Sequence, residues 1–317
     1  MSRLRPPAIL LATAIAILAI AVPANTPGLR AATPDLTLVT DAHYEVQPRL
    51  KRVRVTVDIT AANRLRDSVT RRFFFDRAYL AVQPDTQGFK ITSAVGTPSV
   101  SVARRSRDQT LLLLSFGRRL GSGRSAAFRL QFDLADPGGP PTRDIRIGGS
   151  LVSFPVWAFA SNQTPGSRVS VSFPPGFTVR VEAGDLSGPI TDAAGRTTFT
   201  SGPISAPLRY YAYLVADRPG SYTETSRSVA VGSDTARLTI RAWADDPGWT
   251  SRVGDLFMRG LPEIAELTGL AWPSDEPLIV EEALSHSVGG YAGLFDPAEG
   301  RVEVAYYASP FIVLHEA

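Results

Sequence analysis

From residue 35 onward, apolar and polar side chains alternate with period two. The clearest run is Val53-Arg54-Val55-Thr56-Val57-Asp58-Ile59, the pattern of a strand with one wet face and one buried face. Tyr44-Glu45-Val46 reads the same way. Further runs lie at Leu111–Phe116, Ala127–Leu134, Val169–Phe173, Phe177–Val181, Arg196–Thr200, Leu208–Val215 and Ala236–Ala242. Turn-forming clusters separate them, among them Gly121-Ser122-Gly123, Pro174-Pro175-Gly176 and Arg218-Pro219-Gly220. Short strands at this spacing, without helices between them, predict a mainly β chain whose residues 35–243 form an antiparallel β-sandwich.

The pattern changes at Asp245-Asp246-Pro247-Gly248. Beyond it Val253, Leu256, Phe257, Leu261, Ile264, Ala265 and Leu267 recur every three or four residues, which predicts a helix capped by Thr250 or Ser251 and closed by Gly269. Pro262 inside it either kinks the helix or splits it. Two extended segments follow, Pro277–Glu282 and Arg301–Tyr307, joined by a glycine-rich stretch around residues 287–297. Ser309-Pro310 then places an N-cap residue before a proline at the first helical position, so a second helix starts there and runs through Phe311-Ile312-Val313-Leu314-His315-Glu316-Ala317. A helix stopping in its second turn on an apolar face, without a cap, is expected to belong to a longer chain. Residues 244–317 thus read as the start of a second, α+β domain.

Composition changes little in this picture. Of 317 residues, 44% are hydrophobic and 20% charged, the balance of a soluble globular chain. The formal charge of +3 is small, and it gives no reason to expect a nucleic-acid partner. Arginines at 64, 66, 71, 72 and 77, and at 104, 105 and 107, are interspersed with Asp67, Asp76 and Asp108, which reads as a solvated sheet face. There is no cysteine, hence no disulfide framework.

The amino terminus adds localisation. Arg3 and Arg5 precede an apolar run from Ala8 to Val22, and small residues follow at Val22-Pro23-Ala24. Those are the parts of a secretory signal cleaved after residue 24, with residues 25–34 as a linker. The run is shorter than the roughly 20 residues a spanning helix wants. The expected location is secreted or extracytoplasmic, with membrane attachment only if the leader is retained or an anchor follows the given sequence.

Candidate chemistry sits at the end. In H-E-x-x-H enzymes two helix histidines one turn apart hold zinc, and the glutamate after the first is the general base. Here His315 and Glu316 supply the first two letters, and the second histidine would fall at 319. His43 and His286 stand alone and read as ordinary surface or half-buried histidines. Asn162-Gln163-Thr164 matches a glycosylation sequon, and Trp157 reads as sandwich core.

The order of leader, β-sandwich, helix, glycine-rich edge segment and H-E helix resembles the aminopeptidase N family of gluzincin zinc metallopeptidases. In that family a Gly-x-Met-Glu-Asn element lies some two dozen residues before the first zinc histidine. Here Gly289-Gly290-Tyr291-Ala292-Gly293 begins 26 residues before His315. The resemblance implies a thermolysin-like catalytic domain, a Zn2+ cofactor with His315 as first ligand, Glu316 as catalytic base, and a peptide substrate contacted by Gly289, Gly290, Tyr291 and Ala292. The glycines read equally as a plain turn. Ala292 stands where the family has the glutamate that binds the substrate's α-amino group, and an alanine makes no charge-assisted bond. Aminopeptidase specificity therefore does not carry over, unless Glu281 or Glu282 compensates. Since a stable site needs three protein ligands, the 317-residue chain is expected to bind zinc weakly and to hydrolyse nothing by itself. The alternative is a non-catalytic exported sandwich module or a degenerate peptidase.

Overall fold

A computed structural model describes residues 34–138, 143–273, 276–283 and 292–316. The leader, His286 and the Gly289-Gly290-Tyr291 segment lie outside the described residues.

Strands β1 (Leu36–Gln47) and β2 (Arg52–Asn63) form a long hairpin, and each buries every second side chain. The remaining strands of the first unit are β3 (Phe74–Val82), β4 (Thr86–Thr92), β5 (Ser99–Arg105), β6 (Thr110–Gly121), β7 (Ser125–Ala135), β8 (Arg146–Ile147), β9 (Leu151–Trp157), β10 (Arg168–Phe173), β11 (Thr178–Ala183), β12 (Ser187–Thr191), β13 (Thr197–Thr200) and β14 (Tyr211–Asp217). They make a seven-stranded sheet in the order β12-β13-β10-β1-β2-β7-β4, together with two smaller sheets, β11-β14-β9-β8 and β3-β6-β5. All three sheets turn their apolar faces into one core. Phe116 of β6 stacks on Phe128 of β7 at 4.9 Å, and Tyr44 of β1 faces Phe154 of β9 at 6.3 Å. Tyr44 also carries the core's polar knot. Its hydroxyl donates to the Trp157 carbonyl at 2.8 Å and accepts from the Trp157 N–H at 3.0 Å and from the Gln83 amide at 2.8 Å. Burial raises the pKa of that hydroxyl, so it stays protonated and can fill all three roles.

The structure adds two details of strand pairing to the mainly β reading. The sandwich is not wholly antiparallel, because β1 pairs in parallel with β10. A parallel neighbour must come from far along the chain, and local alternation carries no sign of it. The second concerns its extent. Strands β15 (Tyr222–Val231) and β16 (Asp234–Trp243) fall within the stretch read as sandwich, yet they hydrogen-bond into a different, five-stranded sheet.

That sheet is completed by β17 (Leu278–Ala283), β18 (Gly293–Asp296) and β19 (Arg301–Ala305), in the order β15-β16-β17-β19-β18. Between β16 and β17 runs helix α1 (Pro247–Thr268), and after β19 comes α2 (Pro310–His315). Helix α1 buries Trp249, Val253, Phe257 and Leu261 against β-sheet residues such as Leu238 and Ile240, the first part of the apolar stripe seen in sequence, while Ile264 and Leu267 toward its end are exposed. Its cap is Asp246, whose side chain accepts from the Trp249 N–H, and neither Thr250 nor Ser251 takes that part. With Pro247 in the first turn, the helix starts earlier than the periodic residues do. Pro262 does not split it, and the helix runs on to a left-handed Gly269 whose N–H bonds the Ala265 carbonyl at 2.8 Å.

Two units meet at a buried polar joint. Arg146 of β8 reaches Asp246 at 3.3 Å and lies 4.9 Å over the Tyr306 ring. Glu282 of β17, wholly buried, accepts from the Trp243 N–H at 3.1 Å. Leu151, Val215 and Trp243 seal the surrounding apolar seam.

Candidate functional site

Helix α2 begins as its sequence dictates. Ser309 sits in extended backbone, its hydroxyl faces the Ile312 N–H, and Pro310 occupies the first turn. Val313 is the buried face of the short helix and joins the α1 core. The Leu314 side chain lies over Gly260, where a Cβ would come within 2.7 Å of it and push its methyl groups aside.

His315 points outward, with its ring stacked on Phe311 at 5.6 Å and 13° between planes. Glu316 turns the other way and is half-buried against the edge strand β18. A methyl group on Gly293 would lie 2.7 Å from the Glu316 Cγ and 3.0 Å from the Ile312 Cγ2, closer than carbon atoms pack. A side chain at position 293 would therefore make Glu316 and Ile312 shift from this edge. Ala292 is held by its carbonyl, which accepts from the Ala305 N–H at 2.9 Å. Of the sequence-predicted site residues, Glu316 lies against Gly293, next to Ala292, while His315 faces outward on Phe311. Gly289, Gly290 and Tyr291 lie outside the described residues.

Glu281 and Glu282 are both engaged within the fold. Glu281 faces Arg241 at 3.5 Å. Glu282 is locked in the joint between the two units, where burial, and then the charge of Asp246, pushes its carboxyl up to about 9. Among the described residues no group of three His, Cys, Asp or Glu side chains could hold a metal ion. A zinc site wants three or four protein donors, and the single imidazole of His315 does not make one. The residues present do not fit a resident metal by themselves.

The other singled-out residues are structural. His43 lies on the sandwich surface with Nδ1 2.9 Å from the Ser170 hydroxyl, and burial among its neighbours lowers its pKa. Asn162 uses its side-chain nitrogen to donate to the Leu36 carbonyl at 2.8 Å. Trp157 packs partly buried against the core. Sequence reading missed the Arg146–Asp246–Glu282 joint, because Arg146 and Asp246 lie 100 residues apart and no local spacing links them.

No known family profile and no curated protein matches the sequence. Among solved structures the chain is similar to the M1 zinc metallopeptidase of Deinococcus radiodurans, with 16% identity and a TM-score of 0.34, over 90% of this chain and 64% of that one. A point mutant of the same enzyme gives 16% and 0.34, over 89% and 63%. The chain spans just under two thirds of the length of these structures. At that identity and superposition the likeness bears on neither activity nor site.

Proposed function

We propose that this chain is the amino-terminal part of an exported zinc-dependent metallopeptidase that hydrolyses peptide bonds. The observation that carries the reading is the seating of Glu316 on Gly293. It sets a carboxylate, with an imidazole one residue earlier, against the outermost strand of a sheet. An extended peptide can add to such an edge through main-chain hydrogen bonds, and its amides would then run past Glu316. His315 contributes one nitrogen donor, and the resemblance to the aminopeptidase N family calls for a histidine at 319 and a later glutamate to complete the set. The reading covers peptide hydrolysis and stops short of a preference for free amino termini, because Ala292 has nothing to pair with an ammonium group.

The test uses the full-length gene product. One zinc per chain and peptide hydrolysis, both lost in His315→Ala, with zinc kept but hydrolysis lost in Glu316→Gln, is the expected result. A reading frame without a histidine at 319, or a product with neither zinc nor activity, would leave the non-catalytic sandwich module in its place.

A further inference from the structure

The charge of this chain is spread very unevenly. Between residues 64 and 124 lie twelve of its 33 basic residues and only four of its 30 acidic ones. The fold concentrates them further. The segment after β2, residues 64–73, is stitched to the hairpin between β6 and β7: the Asn63 N–H bonds the Arg124 carbonyl at 3.0 Å, the Asp67 N–H bonds the Ser122 hydroxyl at 3.0 Å, and that hydroxyl donates to the Leu65 carbonyl at 2.8 Å. One end of the sandwich therefore carries Arg64, Arg66, Arg71, Arg118, Arg119 and Arg124, all exposed. Arg72 is there as well, but it is paired with Asp67 at 3.0 Å. The other carboxylates here are Asp35, at the start of the described chain, and Asp76, which pairs with Arg77 at 2.8 Å and lies within electrostatic reach of Arg119. Among the described residues none of Arg66, Arg71, Arg118 and Arg124 has a carboxylate partner.

Two apolar side chains stand among these charges. Val69, at the tip of the 64–73 segment, is as exposed as a residue can be, at 105%. Phe74 is 45% exposed, with the Arg119 guanidinium 4.4 Å over its ring. Guanidinium groups around a protruding aliphatic tip suit a surface that is anionic outside and oily just beneath. Nucleic acid would have more use for stacking aromatics than for a bare valine.

Position in the chain points the same way. The Arg64 N–H bonds the Asp35 carbonyl at 2.8 Å, so the polypeptide enters the fold at this basic end. Were the leader retained rather than cleaved, its apolar Ala8–Val22 run would end twelve residues before Pro34, a tether of at most roughly 40 Å.

We infer that the arginine-rich end of the sandwich docks on an anionic lipid surface, with Val69 entering the headgroup layer. Long-range attraction of this kind counts charges and ignores their shape, so it should survive exchange of arginine for lysine and weaken as salt shortens the screening length from about 10 Å at 0.1 M to about 3 Å at 1 M.

The experiment is sedimentation of the full chain with phosphatidylglycerol-containing vesicles and with pure phosphatidylcholine vesicles, read as the ratio of the two partition coefficients. Each arginine near an anionic surface contributes about five-fold. Replacing Arg66, Arg71, Arg118 and Arg124 together by Gln should thus lower the ratio at least about 100-fold, the four-fold Lys variant should keep it, and both should melt with the parent because these side chains lack partners. Val69→Ser should weaken binding to anionic vesicles without moving the melting temperature. The leader, whose Arg3 and Arg5 also favour anionic vesicles, is common to parent and variants and cancels when their ratios are compared. A parent ratio near one, a ratio unchanged in the Gln variant, or duplex DNA bound as tightly as the vesicles at equal salt would each overturn the assignment.

Discussion

Replacing Glu282 by glutamine should stabilise this protein, and by an amount that grows with pH. The side chain is wholly buried, its Oε2 accepts from the Trp243 N–H at 3.1 Å, and no donor reaches its Oε1, while the Asp246 carboxylate lies within hydrogen-bonding reach of the side chain. Burial first, then the neighbouring Asp246 carboxylate, lifts its pKa from 4.5 to about 9, against smaller opposing contributions from the Trp243 N–H and Arg146. The folded state therefore holds a proton that the unfolded state releases above pH 4.5. Between these two values the folded protein binds more protons than the unfolded one, so stability falls as pH rises, by up to about 1.4 kcal/mol per pH unit. At pH 7 the accumulated loss is roughly 3 kcal/mol. Glutamine mimics the protonated carboxyl, since its carbonyl can accept from Trp243 while its amide donates to Asp246, and it has no proton to lose. Urea unfolding of parent and Glu282→Gln at half-unit steps from pH 5 to pH 9 reads the difference directly. The two should nearly coincide at pH 5 and diverge steadily above it. A difference independent of pH, or a variant less stable than the parent at pH 8, would refute the argument that the joint holds a neutral carboxylic acid.

Other outcomes follow from the same geometry. Tyr44→Phe removes one hydroxyl serving three buried partners and should cost about 2 to 4 kcal/mol in denaturant unfolding. Gly293→Ala should push Glu316 and Ile312 off the edge strand at about 1 to 3 kcal/mol, seen as faster amide exchange in residues 312–316 while the sandwich amides stay protected. For Asp136, burial alone would raise the pKa, but Arg143 at 2.7 Å and the N–H groups of Ile147 and Gly138 outweigh it and hold the carboxyl at about 2. Its contribution is present above its ordinary pKa of 3.8 and is lost as pH falls through 2, so Asp136→Asn should be less stable by about 1 to 2 kcal/mol at pH 7, a gap that closes by pH 2. Zinc at 100 µM should stabilise the 317-residue chain by less than about 0.1 kcal/mol, because one histidine gives millimolar affinity at best, and calorimetry should show no change in melting temperature.

Much of the local structure was legible in the residues alone. Strict alternation in 53–59, the apolar stripe of 253–265, Gly269 as a helix stop and Ser309-Pro310 as a helix start are rules of backbone geometry and capping that act within a few residues. The same rules put His315 and Glu316 on one short helix. What they could not decide was partnership. An alternating strand has the same sequence whichever sheet accepts it, so the parallel β1–β10 pair and the transfer of β15 and β16 to the second sheet depended on long-range packing. The Arg146–Asp246–Glu282 joint joins residues more than a hundred positions apart, and its energetics come from burial, which no short window reveals. The arginine-rich end behaves alike: residues 64–72 looked solvated by their interspersed aspartates until hydrogen bonds from the 121–124 turn added three more guanidinium groups beside them. Spacing along the chain determined which elements form and where the candidate imidazole and carboxylate sit. Tertiary contacts alone decided which charges share a surface and which are buried, because desolvation and proximity belong to the folded arrangement and not to the order of residues.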